Sequence, residues 1–98
     1  MLNSVIVVDD EASIRAAVEQ WLSLSGFSVQ LFARAEECLA QLPDNFPGVI
    51  LSDVRMPGLS GMQLLERLQQ QDPGLPVILL TGHGDVPMAV EAMRNGAY

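Results

Sequence analysis

Lysine is absent from this sequence, and five arginines face twelve aspartates and glutamates, leaving a net charge of −7. A domain of that sign repels phosphodiester backbones and anionic lipid, so direct nucleic-acid or membrane binding is not expected of it. Cysteine occurs once, as Cys38, which excludes an intrachain disulfide and suits a reducing compartment. Its place in a helical apolar stripe reads as a plain buried thiol, not a redox centre. Histidine also occurs once, so no Cys or His pair is available to hold zinc. No apolar run approaches the ~20 residues of a membrane span. Met1-Leu2-Asn3-Ser4 lacks the basic segment and cleavage site of a signal peptide, so the cytoplasm is the default location. Neither G-x-G-x-x-G after the first apolar run nor G-x-x-x-x-G-K-[ST] occurs, which disfavours the dinucleotide-binding and P-loop readings.

What is present is aliphatic. Hydrophobic residues make up 49% of the 98 residues and aromatics only 5%, enough for one domain with a true core. Val5 to Val8 is a continuous β-branched run, the pattern of a strand buried on both faces. Ile14, Ala17, Val18, Trp21 and Leu22 then recur at helical spacing and predict an amphipathic helix that Gly26 stops. Ser28 to Phe32 mixes polar and apolar residues, as an edge strand does. Ala35, Cys38, Leu39 and Leu42 predict a second helix ended by Pro43. Val49 to Ser52 is the third strand. Ser60 caps a third helix with Met62, Leu65 and Leu68 as its expected buried face. Leu75 to Leu80 is a fourth strand, apolar except at Pro76 and expected to be flanked and covered on both sides. Asp85 caps a last helix with Val86, Ala89, Val90 and Met93 on its apolar face and Asn95-Gly96 at its end. This βαβαβαβα order predicts a doubly wound parallel sheet with helices on both faces and right-handed crossovers.

The strand ends carry the chemistry. The first strand runs into Asp9-Asp10-Glu11, the third into Asp53 and the turn Met56-Pro57-Gly58, the fourth into Thr81-Gly82-His83-Gly84. Open α/β sheets keep their ligand sites at this carboxyl edge. If Asp9, Asp10 and Asp53 converge, like charges that close need compensation, and a cation answers it. Hard oxygen ligands favour Mg²⁺ or Mn²⁺ over Zn²⁺. Beside such a cation Asp53 can act as a nucleophile towards a phosphoryl donor, and Thr81 can donate a hydrogen bond to the new phosphoryl group. Singly, each residue has a plainer reading. A strand-end Asp is often a cap or turn residue, Asp10-Glu11 suits a helix dipole, Thr81 can simply stop a strand, and His83 reads as a solvated loop residue. Three strand ends that are all acidic or hydroxylic, with no competing motif, are what shift the reading towards a metal and phosphoryl site.

Val7-Val8-Asp9-Asp10-Glu11, Ser52-Asp53-Val54-Arg55-Met56-Pro57-Gly58 with Gly61, and Leu80-Thr81-Gly82-His83-Gly84 together resemble the receiver domain of two-component response regulators. The resemblance runs through the whole chain, residues 1–98. It implies the flavodoxin-like strand order 2-1-3-4-5, as in the chemotaxis receiver. It also implies that Asp53 accepts phosphate from a sensor histidine kinase. Asp10, Asp53 and the Arg55 backbone carbonyl would ligate Mg²⁺, with Asp9 acting through water, and Thr81 would be the switch hydroxyl. The domain would then be a phosphoacceptor that assists its own phosphorylation and dephosphorylation, not an enzyme acting on an outside substrate. The run Thr81 to Met93 resembles, above all, receivers of C4-dicarboxylate transport regulators of the AAA+ enhancer-binding class. That implies an AAA+ ATPase and a DNA-binding domain as outputs; a nitrogen-fixation regulator with a helix-turn-helix output is the runner-up.

The family pattern continues into a fifth strand with a Lys-Pro pair and a fifth helix, whereas this sequence ends at Tyr98 and has no lysine. The expectation is therefore a receiver truncated before its fifth strand, self-associating through the Leu75 to Leu80 strand as a homodimer or higher oligomer. Tyr98 is not the family's switch aromatic. Two other classes stay open: a small aspartyl-phosphate phosphatase, whose Asp-x-Asp pattern is broken here by Glu11, and an interaction module whose carboxylates are only surface caps.

Overall fold

The computed structural model describes residues 3–80, which form β1 (Ser4–Val8), α1 (Ala12–Leu24), β2 (Ser28–Phe32), α2 (Ala35–Gln41), β3 (Gly48–Asp53), α3 (Gly61–Gln71) and β4 (Val77–Leu80). The segment from Thr81 to Tyr98, with the expected last helix, lies outside the described residues. All strand pairs are parallel, in the order β2-β1-β3-β4. This is the order 2-1-3-4 that the resemblance implied, with β2 at an edge as its mixed composition predicted.

Period-two alternation splits the core into two layers. Val5, Val7, Val49, Leu51 and Leu80 face α1, where Val18 and Leu22 pack on them. Ile6, Val8 and Ile50 face α2 and α3, where Ala35, Cys38, Leu64 and Leu68 meet them. β3 is buried from Gly48 to Ser52, which is why its sequence has no polar alternation until it reaches the edge. Cys38 is buried, and burial pushes its thiol up to about 11. At neutral pH it carries almost no thiolate, as expected of a packing residue.

Local signals set the ends of the elements. Gly26 takes φ +91° after α1. Its N–H donates to the Ser23 carbonyl and that of Phe27 to the Leu22 carbonyl, both bonds of a Schellman stop, and Phe27 packs back on the core. At α3 the Ser60 hydroxyl accepts from the Gln63 N–H at 3.2 Å and the Gln63 side chain accepts from the Ser60 N–H at 2.9 Å, a full capping box.

Three expectations need correction. The buried face of α3 is Gly61, Leu64 and Leu68; Leu65 is half-buried and Met62 is 48% exposed. The capping box and the tight seat of Gly61 rotate the helix by about one residue relative to the apolar stripe. On α1, Ala17 is exposed and Trp21 is 46% exposed, because Val18 and Leu22 occupy the contact with the sheet. The fourth strand begins at Val77, two residues later than expected. Its first three residues are only half-buried, since among the described residues β3 is its one strand neighbour.

Candidate functional site

The β1–β3 register ends with Val8 opposite Ser52, so the next rung sets Asp9 beside Asp53. The flanking β1–β2 and β3–β4 ladders each continue one residue past the strands. The Asp9 N–H donates to the Phe32 carbonyl at 3.1 Å and the Val54 N–H to the Leu80 carbonyl at 3.3 Å. Asp10 follows Asp9 as the chain turns into α1. One carboxylate oxygen from each of Asp9, Asp10 and Asp53 lies within 4.8 Å of the others, so the convergence expected from the sequence is real. Asp9 is buried at 7% exposure, Asp53 is half-buried and Asp10 is open to solvent. In front of them lies an open cleft of about 550 Å³ lined by Asp10, Glu11, Asp53, Val54 and Arg55. Arg55 is among the residues that line the cleft. Thr81 lies outside the described residues.

Electrostatics single out Asp9. Burial raises its carboxyl above the ordinary 3.8, and the charges of Asp53, Asp10 and Glu11 push the same way. The Glu11 N–H, donating to Asp9 Oδ1 at 2.9 Å, opposes them. That bond closes an Asx turn just ahead of α1, whose N-cap residue, Glu11, makes no side-chain cap bond. Three oxygen donors around one exposed mouth, with no sulfur or imidazole among them, fit a hard divalent cation such as Mg²⁺ or Mn²⁺.

Behind Asp53 and Val54, the start of α3 is seated by close backbone approach. A Cβ on Gly61 would overlap the Asp53 carbonyl oxygen, so only glycine lets α3 start against the end of β3. There the Gly61 N–H donates to the Val54 carbonyl at 2.9 Å. The buried Ser52 hydroxyl donates to the Asp53 carbonyl at 3.0 Å.

A model of the response regulator receiver domain family matches residues 5–98. The chain belongs to that family. Among curated receiver-containing proteins, it is 50% identical over 95 residues to the C4-dicarboxylate transport transcriptional regulatory protein DctD of Rhizobium meliloti (strain 1021), covering 97% of this chain and 21% of that one. It is 47% identical over 93 residues to the transcriptional regulatory protein FixJ of Bradyrhizobium diazoefficiens, covering 95% and 45%. The crystal structure of FixJ-N superposes with a TM-score of 0.76 at 45% identity, over 99% of this chain and 78% of that one. The receiver described here therefore spans about a fifth of the first relative's length and under half of the second's. Among the described residues of the receiver, no helix is long and apolar enough to cross a membrane.

Sequence reading missed one residue at the site. Arg15, on the first turns of α1, donates from Nη1 to the Asp9 backbone carbonyl at 2.7 Å. A signal existed: a cation near a helix N-terminus opposes the dipole, so its presence there asks for another reason.

Proposed function

We propose that this receiver takes a phosphoryl group from a sensor histidine kinase onto Asp53, with Mg²⁺ held by the Asp10 and Asp53 carboxylates and the Arg55 backbone carbonyl. Asp9 would act on the cation through water. The observation that carries the reading is the convergence of three carboxylates from two adjacent strand ends on one open cleft. A carboxylate oxygen of Asp53 attacks phosphorus; the O–P bond forms as the bond to the donor breaks, and the donor's imidazole nitrogen leaves with the bonding pair. Bound Mg²⁺ would supply charge compensation for the transferring oxygens. The proposed acceptor, Asp53, lines the open cleft, and its backbone is held by the Ser52 hydroxyl and by the register with β4. Thr81 is assigned the switch hydroxyl on the sequence motif alone.

On this reading the domain is an acceptor that assists its own phosphorylation and dephosphorylation, not a turnover enzyme. The 50% identity to a dicarboxylate transport regulator supports a transcriptional output of that class; AAA+ ATPase and DNA-binding domains are assigned to it on the sequence motif alone, and a homodimer or higher oligomer is proposed with them. The test is intact-mass analysis after acetyl phosphate treatment. A single phosphoryl adduct is expected with Mg²⁺, lost in Asp53→Asn and in chelator. An equal adduct in Asp53→Asn, or without any divalent cation, refutes the assignment. Steady turnover of small phosphate esters would favour the phosphatase reading instead.

A further inference from the structure

The loop that presents Asp9 and Asp10 is three residues long, Asp9-Asp10-Glu11, and the Arg15 side chain reaches back from α1 to its first residue, while the first backbone bond of the helix fixes its last. Arg15 Nη1 donates to the Asp9 carbonyl at 2.7 Å, while the Arg15 backbone N–H donates to the Glu11 carbonyl at 3.0 Å. Asp9 is held at two further atoms, its N–H by Phe32 and its Oδ1 by the Glu11 N–H. Asp10 lies between these fixed points, and its exposed side chain makes no hydrogen bond or ion pair among the described residues. The position of the Asp10 carboxylate is therefore set by the loop backbone, and the Arg15 side chain is what ties that backbone to α1.

We infer that Arg15 is a positioning residue for the cation site, a clamp that holds the β1–α1 loop so that Asp10 meets Asp9 and Asp53 at ligating distance. The inference rests on the cation-binding reading above. Its physical content is a conflict of sign. As a bare charge, a guanidinium beside a cation site repels the cation, so removing it should tighten binding. As a clamp it keeps three mutually repelling carboxylates converged, so removing it should loosen binding. Groups that orient metal ligands without touching the metal typically change affinity by about 10–100-fold when lost. A charge-assisted bond to a backbone carbonyl is among the stronger kinds available for the purpose. Because that one side-chain bond ties the start of the loop to the helix that begins at its end, the clamp outweighs the charge.

The experiment is Mg²⁺ titration of the protein by calorimetry or amide NMR shifts, on the native chain and on Arg15→Met and Arg15→Lys, with thermal melts in chelator alongside. Arg15→Met, which keeps the stem and loses charge and donor, is expected to bind Mg²⁺ about tenfold more weakly or worse. Its melting point in chelator should fall by roughly 10 °C or less, the cost of one part-buried hydrogen bond with the stem kept, so the protein stays folded at the temperature of the titration. Arg15→Lys retains a donor and the charge and should recover part of the loss. If Arg15→Met binds as tightly as the native chain, or more tightly, the clamp is refuted and the residue acts only as a charge. Should Arg15→Met fail to fold, the Lys variant decides: native affinity refutes the clamp, since one ammonium cannot reproduce the guanidinium's reach. A native chain that shows no Mg²⁺ binding would sink the cation reading itself, an outcome separate from either.

Discussion

Gly61→Ala probes the contact on which the acceptor depends. The new Cβ would fall onto the Asp53 carbonyl oxygen and lie 3.0 Å from both the Asp53 carbonyl carbon and the Val54 Cα. All three are backbone atoms, so no side chain can swing aside. Restoring ordinary contact requires α3 and the end of β3 to separate by about an ångström, which would break the Gly61 to Val54 hydrogen bond. Overpacking of this kind costs ~1–3 kcal/mol. Against it stands the helix propensity of alanine over glycine, at most ~1 kcal/mol. The net loss should be about 1–2 kcal/mol, which for a domain of this size lowers the melting temperature by roughly 5–15 °C. Gly74→Ala is the control. Its Cβ would meet only Asp72 Oδ1, at 3.8 Å, so its effect should stay within about 0.5 kcal/mol. Thermal melts by far-UV circular dichroism on the two variants side by side check this. Because the strain lands on Asp53 and Val54, Gly61→Ala should also slow acetyl phosphate labelling. A Gly61→Ala protein as stable as native, or a Gly74→Ala cost equal to that of Gly61→Ala, would show the close-approach argument wrong.

Ser60→Ala removes one half of the capping box and should cost ~1 kcal/mol in urea denaturation while leaving Mg²⁺ affinity within twofold of native. Asp9 should also leave a pH signature. Its carboxyl is raised in the folded state, chiefly by burial. The folded chain therefore binds that proton more tightly than the unfolded chain, and this contribution is lost as pH rises from the unfolded value through the folded one. In chelator, the melting-temperature difference between the native chain and Asp9→Asn should shift against the native chain as pH rises from about 4 towards neutrality; a difference flat in pH contradicts the assignment.

Strand-end residues were legible because both determinants of their position are local. An apolar run long enough to be a strand, followed at once by a carboxylate, puts that carboxylate at the edge whatever the rest of the chain does. Asp9 and Asp53 follow this rule, and the parallel register then makes them neighbours. The faces of the helices were less legible. Met62 and Trp21 are apolar and sit at plausible helical intervals, but the capping box at Ser60 and the backbone contact at Gly61 turn α3 so that Leu64 takes the inner place. Val18 and Leu22 do the same on α1. Arg15 was hard to read for another reason: its unfavourable place near a helix N-terminus marked it, but its partner is a carbonyl six residues away, and backbone acceptors leave no mark in a sequence.

β3 has no outer side. Gly48 to Ser52 are all buried, with Val49 and Leu51 in one layer and Ile50 in the other. The strand is thus a partition one residue thick between two tightly filled compartments, and it ends in the acceptor. Close packing leaves such a wall little slack to absorb pressure from either side. A methylene added beneath α1 would push on the α2–α3 layer through the same strand, and the wall's free end is where displacement meets least resistance. Substitutions far apart in space, in layers that share no side-chain contact, would then converge on one observable, the reach of the Asp53 carboxylate.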